Sequence, residues 1–478
     1  MSTDFAHKNI LVLGAGVTGK SVARFLESRG ANITLVDDNA EGATKPADVK
    51  LDQFTAVVIS PGWRQDHPLV SQILNSTIEL LNEIDIAWQL RAEKAPNQKW
   101  IAVTGTNGKT TTTHILRSIF LDAQKHVGVI GTLGTYLGEE HLPGARTTPE
   151  STDLYATLAV MAERGITHVF MEVSSHALAL SRVSGIKFDV AIFTNLTQDH
   201  LDFHGSMDNY FAAKALLFTP EYSKQAIICT DDNWGVKLAA QVKLPTVTIG
   251  AQGDWKTTQA NSNADGMTTQ QIDIKNADSI LVSVNMLGSY NATNAACALA
   301  ATQLLGLSMA AGLESLKKVR SIPGRLEKVP IESPGIAIVD YAHSPDAVAT
   351  VLTVIKDANP KRIITVIGCG GDRDSLKRPL MGKVAAQLSD IVIVTDDNPR
   401  SEDPEAIRKA VLAGTKDCPA QVFEVGDRRV AILQALKLSE PGDVIAVLGK
   451  GHETGQEISG QVFPFDDRVV IREESKNV

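Results

Sequence analysis

The chain contains little cysteine, no long apolar run and no excess of positive charge. Its four cysteines, Cys229, Cys297, Cys369 and Cys418, form no CxxC pair, which argues against a zinc site or a disulfide framework and fits a reducing compartment. No run reaches the roughly 18 apolar residues that span a bilayer, and the first residues lack the apolar centre of a signal peptide. A formal net charge of -9 excludes a general binder of nucleic acid or membrane surfaces. We therefore expect a cytoplasmic protein with neither nucleic acid nor membrane as a partner.

Short apolar runs alternate with helical patterns along the whole chain, which is typical of α/β domains built on parallel sheets. About 150 residues per domain indicates three domains, which we place at residues 1–97, 98–321 and 322–478. We expect a Rossmann-like N-terminal domain, a central P-loop domain with a mostly parallel sheet, and a Rossmann-like C-terminal domain. The polar residues 250–278 predict loops and short strands on the surface.

The most informative motif is a glycine-rich loop that follows an apolar run and precedes a helical pattern, the arrangement that cradles the phosphates of a nucleotide. Lys109 adds a point charge, and the hydroxyl of Thr110 can hold Mg²⁺. Because strand and helix patterns flank the loop, we favour a phosphate site over an inert turn. The loop consists of Gly105, Thr106, Asn107, Gly108, Lys109, Thr110 and Thr111.

Three features downstream of the loop could complete a metal site. Glu172 ends a predicted strand, where it could share Mg²⁺ with Thr110 or be a solvated strand-end acid. Residues 194–205 contain two histidines and two aspartates without cysteine, so Mg²⁺ or substrate contacts are favoured over zinc. Lys214 lies in an apolar helical pattern, where snorkelling is the expected behaviour.

A second glycine motif lies near the N-terminus. Gly14, Gly16 and Gly19 have the spacing of a dinucleotide fingerprint, and Asp37 or Asp38 follows about twenty residues later, where a ribose-binding carboxylate would lie. The motif alone is weak. It could hold a redox dinucleotide or, since the P-loop already binds one nucleotide, the phosphates or base of another.

Three polar clusters follow strands in the last third of the chain, at residues 368–374, 396–400 and 449–453. The carboxyl ends of parallel strands meet at one edge of a sheet, so we expect the clusters to form one crevice. Arginines can grip a carboxylate and an acid can receive an ammonium group, which together would recognise an amino acid.

From about Trp100 onwards, the ordered motifs resemble the Mur ligase family of peptidoglycan synthesis. The motifs are residues 105–111, 171–176, 195–205, 340–346, 368–374, 397–400 and 449–453. The resemblance implies a UDP-binding N-terminal domain, a central ATPase domain and a C-terminal amino-acid domain. It also implies an ATP- and Mg²⁺-dependent ligase that works through an acyl phosphate, and we expect a monomer.

The resemblance also implies roles for individual residues. The expected catalytic set is Lys109, Glu172, His200 and Lys214, with Thr110, Glu172 and His200 as metal ligands. Lys214 matches a lysine that the family carries as a carbamate (N6-carboxylysine), which would make it an anionic metal ligand rather than a snorkelling cation. Further ATP contacts are implied for Asn291, Asn294, Arg325 and Asp340. Contacts to the UDP-linked substrate are implied for Gly14, Gly16, Thr18, Gly19, Asp37, Ser60, Thr147, Thr148, Ser174 and Arg182.

The clusters of the last third resemble those of family members that add meso-diaminopimelate to UDP-MurNAc-L-Ala-D-Glu. The implied amino-acid contacts are Arg373, Asp397, Asn398, Pro399, Arg400, Gly449 and Glu453. Arg400 would meet the distal carboxylate, and an unpaired buried arginine would disfavour lysine as the substrate. L-lysine addition remains an alternative. D-glutamate addition is another, because residues 1–97 resemble the first domain of D-glutamate-adding members. Separately, Leu180 stands where some members have a glutamine near the nucleotide substrate, so the resemblance does not imply that contact here.

Overall fold

The structure is a computed structural model that describes residues 5–59, 63, 67–82, 85–86, 97–144, 146–262, 267–319 and 321–478. The chain divides into two compact units. The first comprises Met1–Gln98, Pro149–Thr167 and Ser181–Lys187, and the second comprises Lys99–Thr148, His168–Leu180 and Phe188–Val478. The first unit therefore takes two segments from the range that the sequence assigned to a central domain. The three domain boundaries stay predictions.

The regular elements of the described residues are numbered in chain order. The helices α1 to α15 are Val17–Ser28, Pro68–Leu74, Lys109–Asp122, Ser151–Glu163, Ser175–Ala179, Leu201–His204, Met207–Ala215, Asn233–Gln241, Ser289–Leu304, Met309–Leu316, Pro345–Asp357, Lys377–Leu388, Pro404–Thr415, Arg428–Leu438 and Asp467–Glu474. The strands β1 to β12 are Asn9–Leu13, Asn32–Val36, Ala56–Ile59, Glu79–Asn82, Lys99–Thr104, Val127–Gly131, Gly134–Leu137, Glu140–Leu142, His168–Glu172, Phe188–Phe193, Ser223–Cys229 and Thr246–Gly250. The strands β13 to β24 are Trp255–Thr257, Asn261–Ser262, Thr268–Ile274, Ile280–Val284, Glu327–Val329, Ile336–Asp340, Ile363–Ile367, Ile391–Val394, Gln421–Glu424, Val444–Leu448, Gly455–Ile458 and Gln461–Pro464.

The first unit is built on a parallel sheet with strand order β2-β1-β3-β4. Ile10 and Val12 of β1 pack into one apolar cluster, and Leu11 and Leu13 pack into another, so both faces of this strand are covered. The strand order reverses between β1 and β3. The glycine motif follows β1 and thus lies at the switch point where such sheets bind ligands.

The second unit contains a twelve-stranded sheet in which β5 lies between β9 and β10, parallel to both. Residues 100–103 of β5 are fully buried, as expected for a parallel strand covered on both faces. The P-loop therefore starts at the carboxyl edge of the sheet. The polar residues 250–278 form short strands as predicted, but their surface position is wrong for Trp255 and Ile272, which are buried in the core.

The last part of the second unit has a six-stranded sheet with order β17-β18-β22-β19-β20-β21, parallel except for β17. Four of its strands, β18, β19, β20 and β22, form at short apolar runs, as the alternation of such runs with helical patterns predicts. Each run is long enough for a strand and too short for a typical helix, and its residues are buried except Ile336. In the part of the chain that the structure describes, no helix is both long and apolar enough to cross a bilayer.

One ion pair inside this last sheet region is completely shielded from solvent. Arg428 at the start of α14 donates to both carboxylate oxygens of Asp467, at 2.8 and 2.7 Å, and both side chains are 0% exposed. Arg428 also donates to the carbonyl oxygen of Leu448 at 3.0 Å, directly before the 449–453 cluster. The pair therefore supports the backbone from which that cluster starts.

We predict that Asp467→Asn destabilises this region by about 3–5 kcal/mol, because it leaves a buried guanidinium without its counter-charge. Glu405→Gln is the matched control: Glu405 pairs with Lys409 on an exposed helix face, so its loss should leave the stability almost unchanged. Hydrogen exchange of peptides from residues 428–471, followed during a urea titration, measures the change in stability in both variants. Equal shifts in the two variants would contradict the prediction.

Candidate active site

The P-loop is held in place by the end of the neighbouring strand β10. The backbone amide of Asn107 donates to the side-chain oxygen of Asn195 at 2.9 Å, and the hydroxyl of Thr194 donates to the Asn107 carbonyl at 2.6 Å. Gly108 has a positive φ of 84°, and a Cβ there would lie 2.5 Å from the side-chain oxygen of Asn294. The loop is therefore preorganised. Glycine is required at position 108 both by the backbone conformation and by the lack of space for a side chain.

Two lysines donate to one carbonyl oxygen of this loop. The Nζ of Lys109 lies 2.8 Å from the Gly105 oxygen, and the Nζ of Lys214 lies 2.9 Å from the same atom. Lys214 is only 1% exposed, so the snorkelling expectation from its helical pattern is wrong. Burial, and secondarily the charge of Lys109, lowers the pKa of Lys214 well below its usual value. Burial also lowers the pKa of Lys109, opposed by Glu172.

Glu172 is fully buried rather than a solvated strand-end acid. One carboxylate oxygen accepts from the hydroxyls of Thr110 and Thr132, at 3.1 and 2.9 Å, and the other accepts from the Thr132 amide at 2.9 Å. The sequence prediction missed Thr132. Thr132 follows β6, and β6 pairs in parallel with β9, which ends at Glu172. The position of Thr132 at the carboxyl end of a neighbouring parallel strand could therefore have predicted its role. The hydroxyl and carboxylate oxygens are hard ligands that suit Mg²⁺.

His200 lies beside the two lysines and Asp199. Its ring is 3.5 Å from the Asp199 carboxylate, and burial lowers its pKa to about 4, opposed by Asp199. His200 is therefore neutral near pH 7, the state in which imidazole binds metal. His204, in contrast, contacts the hydroxyl of Ser175 at 2.9 Å inside the fold.

No group of three or more histidine, cysteine, aspartate or glutamate side chains is arranged as a metal cage among the described residues. The predicted ligand set differs in kind, since it combines a hydroxyl, one carboxylate, one imidazole and a lysine. Its members Thr110 and Glu172 are in contact. The metal assignment stays a prediction.

A cavity of about 420 Å³ extends from the P-loop. Its wall includes all four residues predicted to contact ATP outside the loop. Arg325 donates to the Thr110 hydroxyl at 3.0 Å and lies over the ring of Tyr341. Asp340 accepts from the amides of Leu326 and Ala342, at 2.7 and 2.8 Å, and so fixes the turn that carries Arg325. The lining residues used here are Asn107, Gly108, Thr111, Asn291, Asn294, Arg325 and Asp340.

In the first unit, Asp37 closes the glycine motif. Its carboxylate accepts from the backbone amides of Ala15, Asn39 and Ala40, at 2.8, 2.9 and 3.0 Å, and the first two bonds are the largest causes of its lowered pKa. Gly16 precedes α1. The side chain of Thr18 and the whole of Ser60 lie outside the described residues.

The other residues predicted for the UDP-linked substrate have structural partners. Thr148 donates from its hydroxyl to the Glu172 carbonyl at 2.9 Å and accepts from the Ser174 amide at 3.0 Å. Thr147 lies with its hydroxyl 3.1 Å from that of Thr132. In the first unit, Arg182 forms an ion pair with Glu150 at 2.8 Å.

The three polar clusters of the last sheet meet, as the sequence predicted. Arg400 donates to the Gly371 carbonyl at 2.7 Å, and the amide nitrogen of Asn398 donates to Glu453 at 2.8 Å. Lys450, which the sequence prediction missed, is 0% exposed and donates to Asn398 at 2.9 Å and to Glu453 at 3.2 Å. The buried ammonium group thus orients both polar partners.

One detail differs from the expectation. Arg400 is not unpaired, because its Nε lies 3.2 Å from Glu457, so the argument from an unpaired guanidinium against lysine does not apply. Arg373 is exposed, and its side chain donates to the carbonyl of Asp372. Asp397 is buried next to Gly449, whose lack of a side chain leaves room for that carboxylate.

A P-loop with a buried carboxylate and two lysines, in one compact unit with an amino-acid-type crevice, defines a nucleotide-binding α/β enzyme. The model of the Mur ligase middle domain matches residues 103–302, and that of the Mur ligase glutamate ligase domain matches residues 324–451. The chain therefore belongs to the Mur ligase family. The family prediction is confirmed, whereas the likeness of residues 1–97 to D-glutamate-adding members stays a prediction.

Several relatives share a name. A UDP-N-acetylmuramoyl-L-alanyl-D-glutamate–2,6-diaminopimelate ligase from Corynebacterium glutamicum is 46% identical over 383 residues, covering 78% of this chain and 74% of the relative. A Streptomyces coelicolor relative of the same name is 44% identical over 386 residues, covering 79% and 76%. A solved structure of a ligase with this name has a TM-score of 0.62 at 28% identity and covers 99% of this chain and 93% of its own. Mycobacterium tuberculosis folylpolyglutamate synthase complexed with ADP shares the fold at 18% identity, with a TM-score of 0.62 and coverage of 77% and 91%.

We predict that Gly108→Ala raises the Kd for ADP at least about tenfold, because the new methyl group meets Asn294 and the loop loses its left-handed conformation. Gly138→Ala is the control, since Gly138 has a positive φ of 70° but open space around it. Isothermal titration with ADP and thermal denaturation of both variants separate the effects. If the two variants bind ADP equally, the loop is not the phosphate site.

Proposed function

We propose that the chain is an ATP-dependent ligase that adds meso-2,6-diaminopimelate to UDP-N-acetylmuramoyl-L-alanyl-D-glutamate in peptidoglycan precursor synthesis. The observation that carries the proposal is the meeting of Arg400, Asn398 and Glu453 in one crevice of the unit that also contains the P-loop. Relatives of that name at 44–46% identity support it. The P-loop and the family membership make the enzyme ATP-dependent.

The proposed reaction is the one that membership of the Mur ligase family implies. The D-glutamate carboxylate of the acceptor attacks the γ-phosphorus of ATP, the bond to ADP breaks, and an acyl phosphate forms. The amino group of the incoming amino acid then attacks the acyl carbon, and inorganic phosphate leaves as the amide bond forms. Lys109 and the loop amides would hold the phosphates, and Arg325 would add positive charge beside them.

Mg²⁺ fits the oxygen ligands at Thr110 and Glu172, with neutral His200 as a further ligand. When bound, it would neutralise charge on the phosphates. Thr132 would orient the Glu172 carboxylate through its amide and its hydroxyl. The first unit would hold the UDP moiety at its glycine motif, including Gly14, Gly16 and Gly19.

The lowered pKa of Lys214, caused by burial and by the charge of Lys109, supports the modification proposed for this residue. Two ammonium groups on one buried carbonyl oxygen would repel each other, and the lowered pKa of Lys214 relieves this repulsion. A neutral amine attacks carbon dioxide, forming an N–C bond and releasing a proton. The resulting carbamate is an anion beside Lys109 and is able to bind Mg²⁺.

We predict that Lys214→Arg abolishes the carbamate and lowers kcat by about a hundredfold or more, the scale of losing one key electrostatic group. Lys224→Arg, on an exposed lysine paired with Asp189, is the control. Carbon-13 NMR after labelling with bicarbonate should show a carbamate signal that only the first variant lacks. Because the pKa of Lys214 is lowered, the signal should persist below the pH at which ordinary lysines are fully protonated. A signal that survives in Lys214→Arg places the carbamate elsewhere.

Amino-acid choice is assigned to the crevice. Arg400 would grip the distal carboxylate of diaminopimelate, and Glu453 would receive its distal ammonium group, with Lys450 and Asn398 holding Glu453 in position. L-lysine lacks the distal carboxylate, so Arg400 would keep its Glu457 partner and gain nothing from that substrate. D-glutamate addition is the second candidate because of the glycine motif in residues 1–97.

A matrix of acceptors and amino acids, assayed by phosphate release, tests the proposal. We expect turnover to need both UDP-MurNAc-L-Ala-D-Glu and diaminopimelate. We expect Arg400→Ala to reduce the preference for diaminopimelate over L-lysine by about tenfold or more. Arg373→Ala is the comparison variant. Because Arg373 is exposed, we expect its removal to change the preference for diaminopimelate over L-lysine less than Arg400→Ala does. Turnover with UDP-MurNAc-L-Ala and D-glutamate alone would favour the second candidate.

We also propose that the enzyme acts as a monomer in the cytoplasm. Both proposed nucleotide substrates, ATP and the UDP-linked acceptor, are charged molecules that do not cross membranes unaided. Sedimentation of the purified protein tests the monomer.

A further inference from the structure

A second carboxylate, that of Glu457, lies in the amino-acid crevice together with Glu453. Glu457 belongs to β23, the first strand of a two-stranded hairpin with β24. Its Oε2 atom lies 3.2 Å from the Nε atom of Arg400, and the side chains of Glu457 and Arg400 are 40% and 21% exposed. A substrate that enters the crevice from solvent can therefore reach both charged groups.

The backbone of the hairpin holds Glu457 beside the crevice. The amide of Glu457 donates to the side-chain oxygen of Asn398 at 3.0 Å, and its carbonyl accepts from the amide of Arg400 at 3.0 Å. The side-chain amide of the preceding residue, Gln456, donates to the Asp397 carbonyl at 2.7 Å. Because these bonds do not involve the Glu457 carboxylate, the residue stays in place when a substrate separates that carboxylate from Arg400.

The two carboxylates of the crevice differ in how their charge is compensated. The Oε2 atom of Glu453 accepts from Asn398 at 2.8 Å and from Lys450 at 3.2 Å, and Lys450 is 0% exposed, so a substrate cannot displace this ammonium group. Glu457, in the part of the chain that the structure describes, forms its ion pair with Arg400. A substrate carboxylate bound to Arg400 would therefore leave Glu457, and not Glu453, without a full counter-charge.

We infer that Glu457, in addition to Glu453, binds the ammonium group next to the distal carboxylate of the substrate and thereby selects amino acids whose distal end carries both charges. The substrate carboxylate pairs with Arg400 and the neighbouring ammonium group pairs with Glu457, so one internal ion pair is exchanged for two with the substrate and the charge stays balanced. A substrate with the distal carboxylate alone would bring a second anion to the guanidinium beside Glu457, and this repulsion disfavours it. The inference rests on the addition of diaminopimelate by the proposed ligase.

The test compares three amino acids that differ only at the distal end. The distal end of meso-diaminopimelate carries both groups, that of L-2-aminopimelate lacks the ammonium group, and that of L-lysine lacks the carboxylate. The kcat/KM of each is measured by phosphate release, with ATP and the UDP-linked dipeptide, for the intact enzyme and for Glu457→Gln. Glu405→Gln is the control, because it also removes an exposed carboxylate from an ion pair, the one with Lys409.

We expect the intact enzyme and Glu405→Gln to prefer meso-diaminopimelate over L-2-aminopimelate by about tenfold or more, and Glu457→Gln to reduce this preference by about tenfold, mainly through KM. In Glu457→Gln, turnover of L-2-aminopimelate should be unchanged or higher, because the repulsion of its carboxylate is removed. An equal loss for all three amino acids would assign Glu457 a purely structural role and overturn the inference. A preference that Glu453→Gln abolishes and Glu457→Gln leaves unchanged would overturn it as well.

Calorimetric titration of the intact enzyme with the same amino acids, in the presence of ADP, needs neither a variant nor turnover. Equal Kd values for meso-diaminopimelate and L-2-aminopimelate would overturn the inference. Ligation of meso-diaminopimelate with a preference that Glu457→Gln does not change rejects the role of Glu457 and leaves the proposed function intact. The absence of any ATP-dependent ligation, with a tighter binding of meso-diaminopimelate that depends on Glu457, rejects the function instead.

Discussion

The arrangement of the nucleotide site depends on the Gly105 carbonyl, to which the buried Lys214 and the partly buried Lys109 both donate. Lys109 also donates to the Thr106 carbonyl at 2.9 Å, whereas Lys214 shares the Gly105 carbonyl with Lys109, so the ammonium form of Lys214 has the poorer hydrogen-bonding environment. Lys109 has Glu172 as an attractive charge nearby, whereas Lys214 has the repulsion of Lys109 as its main electrostatic influence after burial. Both influences on Lys214 therefore lower its pKa, whereas Glu172 opposes the lowering at Lys109. The same backbone that forms the phosphate loop therefore also prepares the adjacent amine for chemistry.

A chain of hydrogen bonds connects this loop to the last sheet region of the same unit. Arg325 donates to Thr110, Thr110 donates to Glu172, and the other carboxylate oxygen of Glu172 accepts from the backbone amide of Thr132. The turn that carries Arg325 is fixed by Asp340, at the end of β18. Residues from both sequence segments that match the family models thus meet at one hydroxyl. A nucleotide bound there would contact both segments.

The sequence predicts much of this arrangement, because apolar runs mark the parallel strands and the polar clusters follow those strands directly. The P-loop, Glu172 and the meeting of the three clusters follow from strand order at one sheet edge. Other features depend on packing that no local pattern contains. Thr132 is recruited across the β6–β9 pairing, Lys450 is buried by its neighbours, and Trp255 is buried although it lies in a stretch whose polarity suggests only surface. The periodicity of the helix around Lys214 was misleading for the same reason, since its ammonium group points into the core.

The charged side chains of the amino-acid crevice are paired with other groups of the protein, and selectivity for an amino acid depends on these pairs. Arg400 is held by Glu457 and by the Gly371 carbonyl, and Glu453 is held by Lys450 and Asn398. The charged side chains of the crevice therefore already have partners. A charged group of the substrate must either replace one of these partners or bind in addition to it. Glu457 is 40% exposed, so water can solvate its carboxylate if a substrate carboxylate takes its place at Arg400. Lys450 is fully buried and cannot be replaced in this way, which keeps Glu453 in position while the arginine changes partner. Discrimination at the proposed site is then a difference between two carboxylates competing for one guanidinium, and a monocarboxylic amino acid does not enter that competition at its distal end.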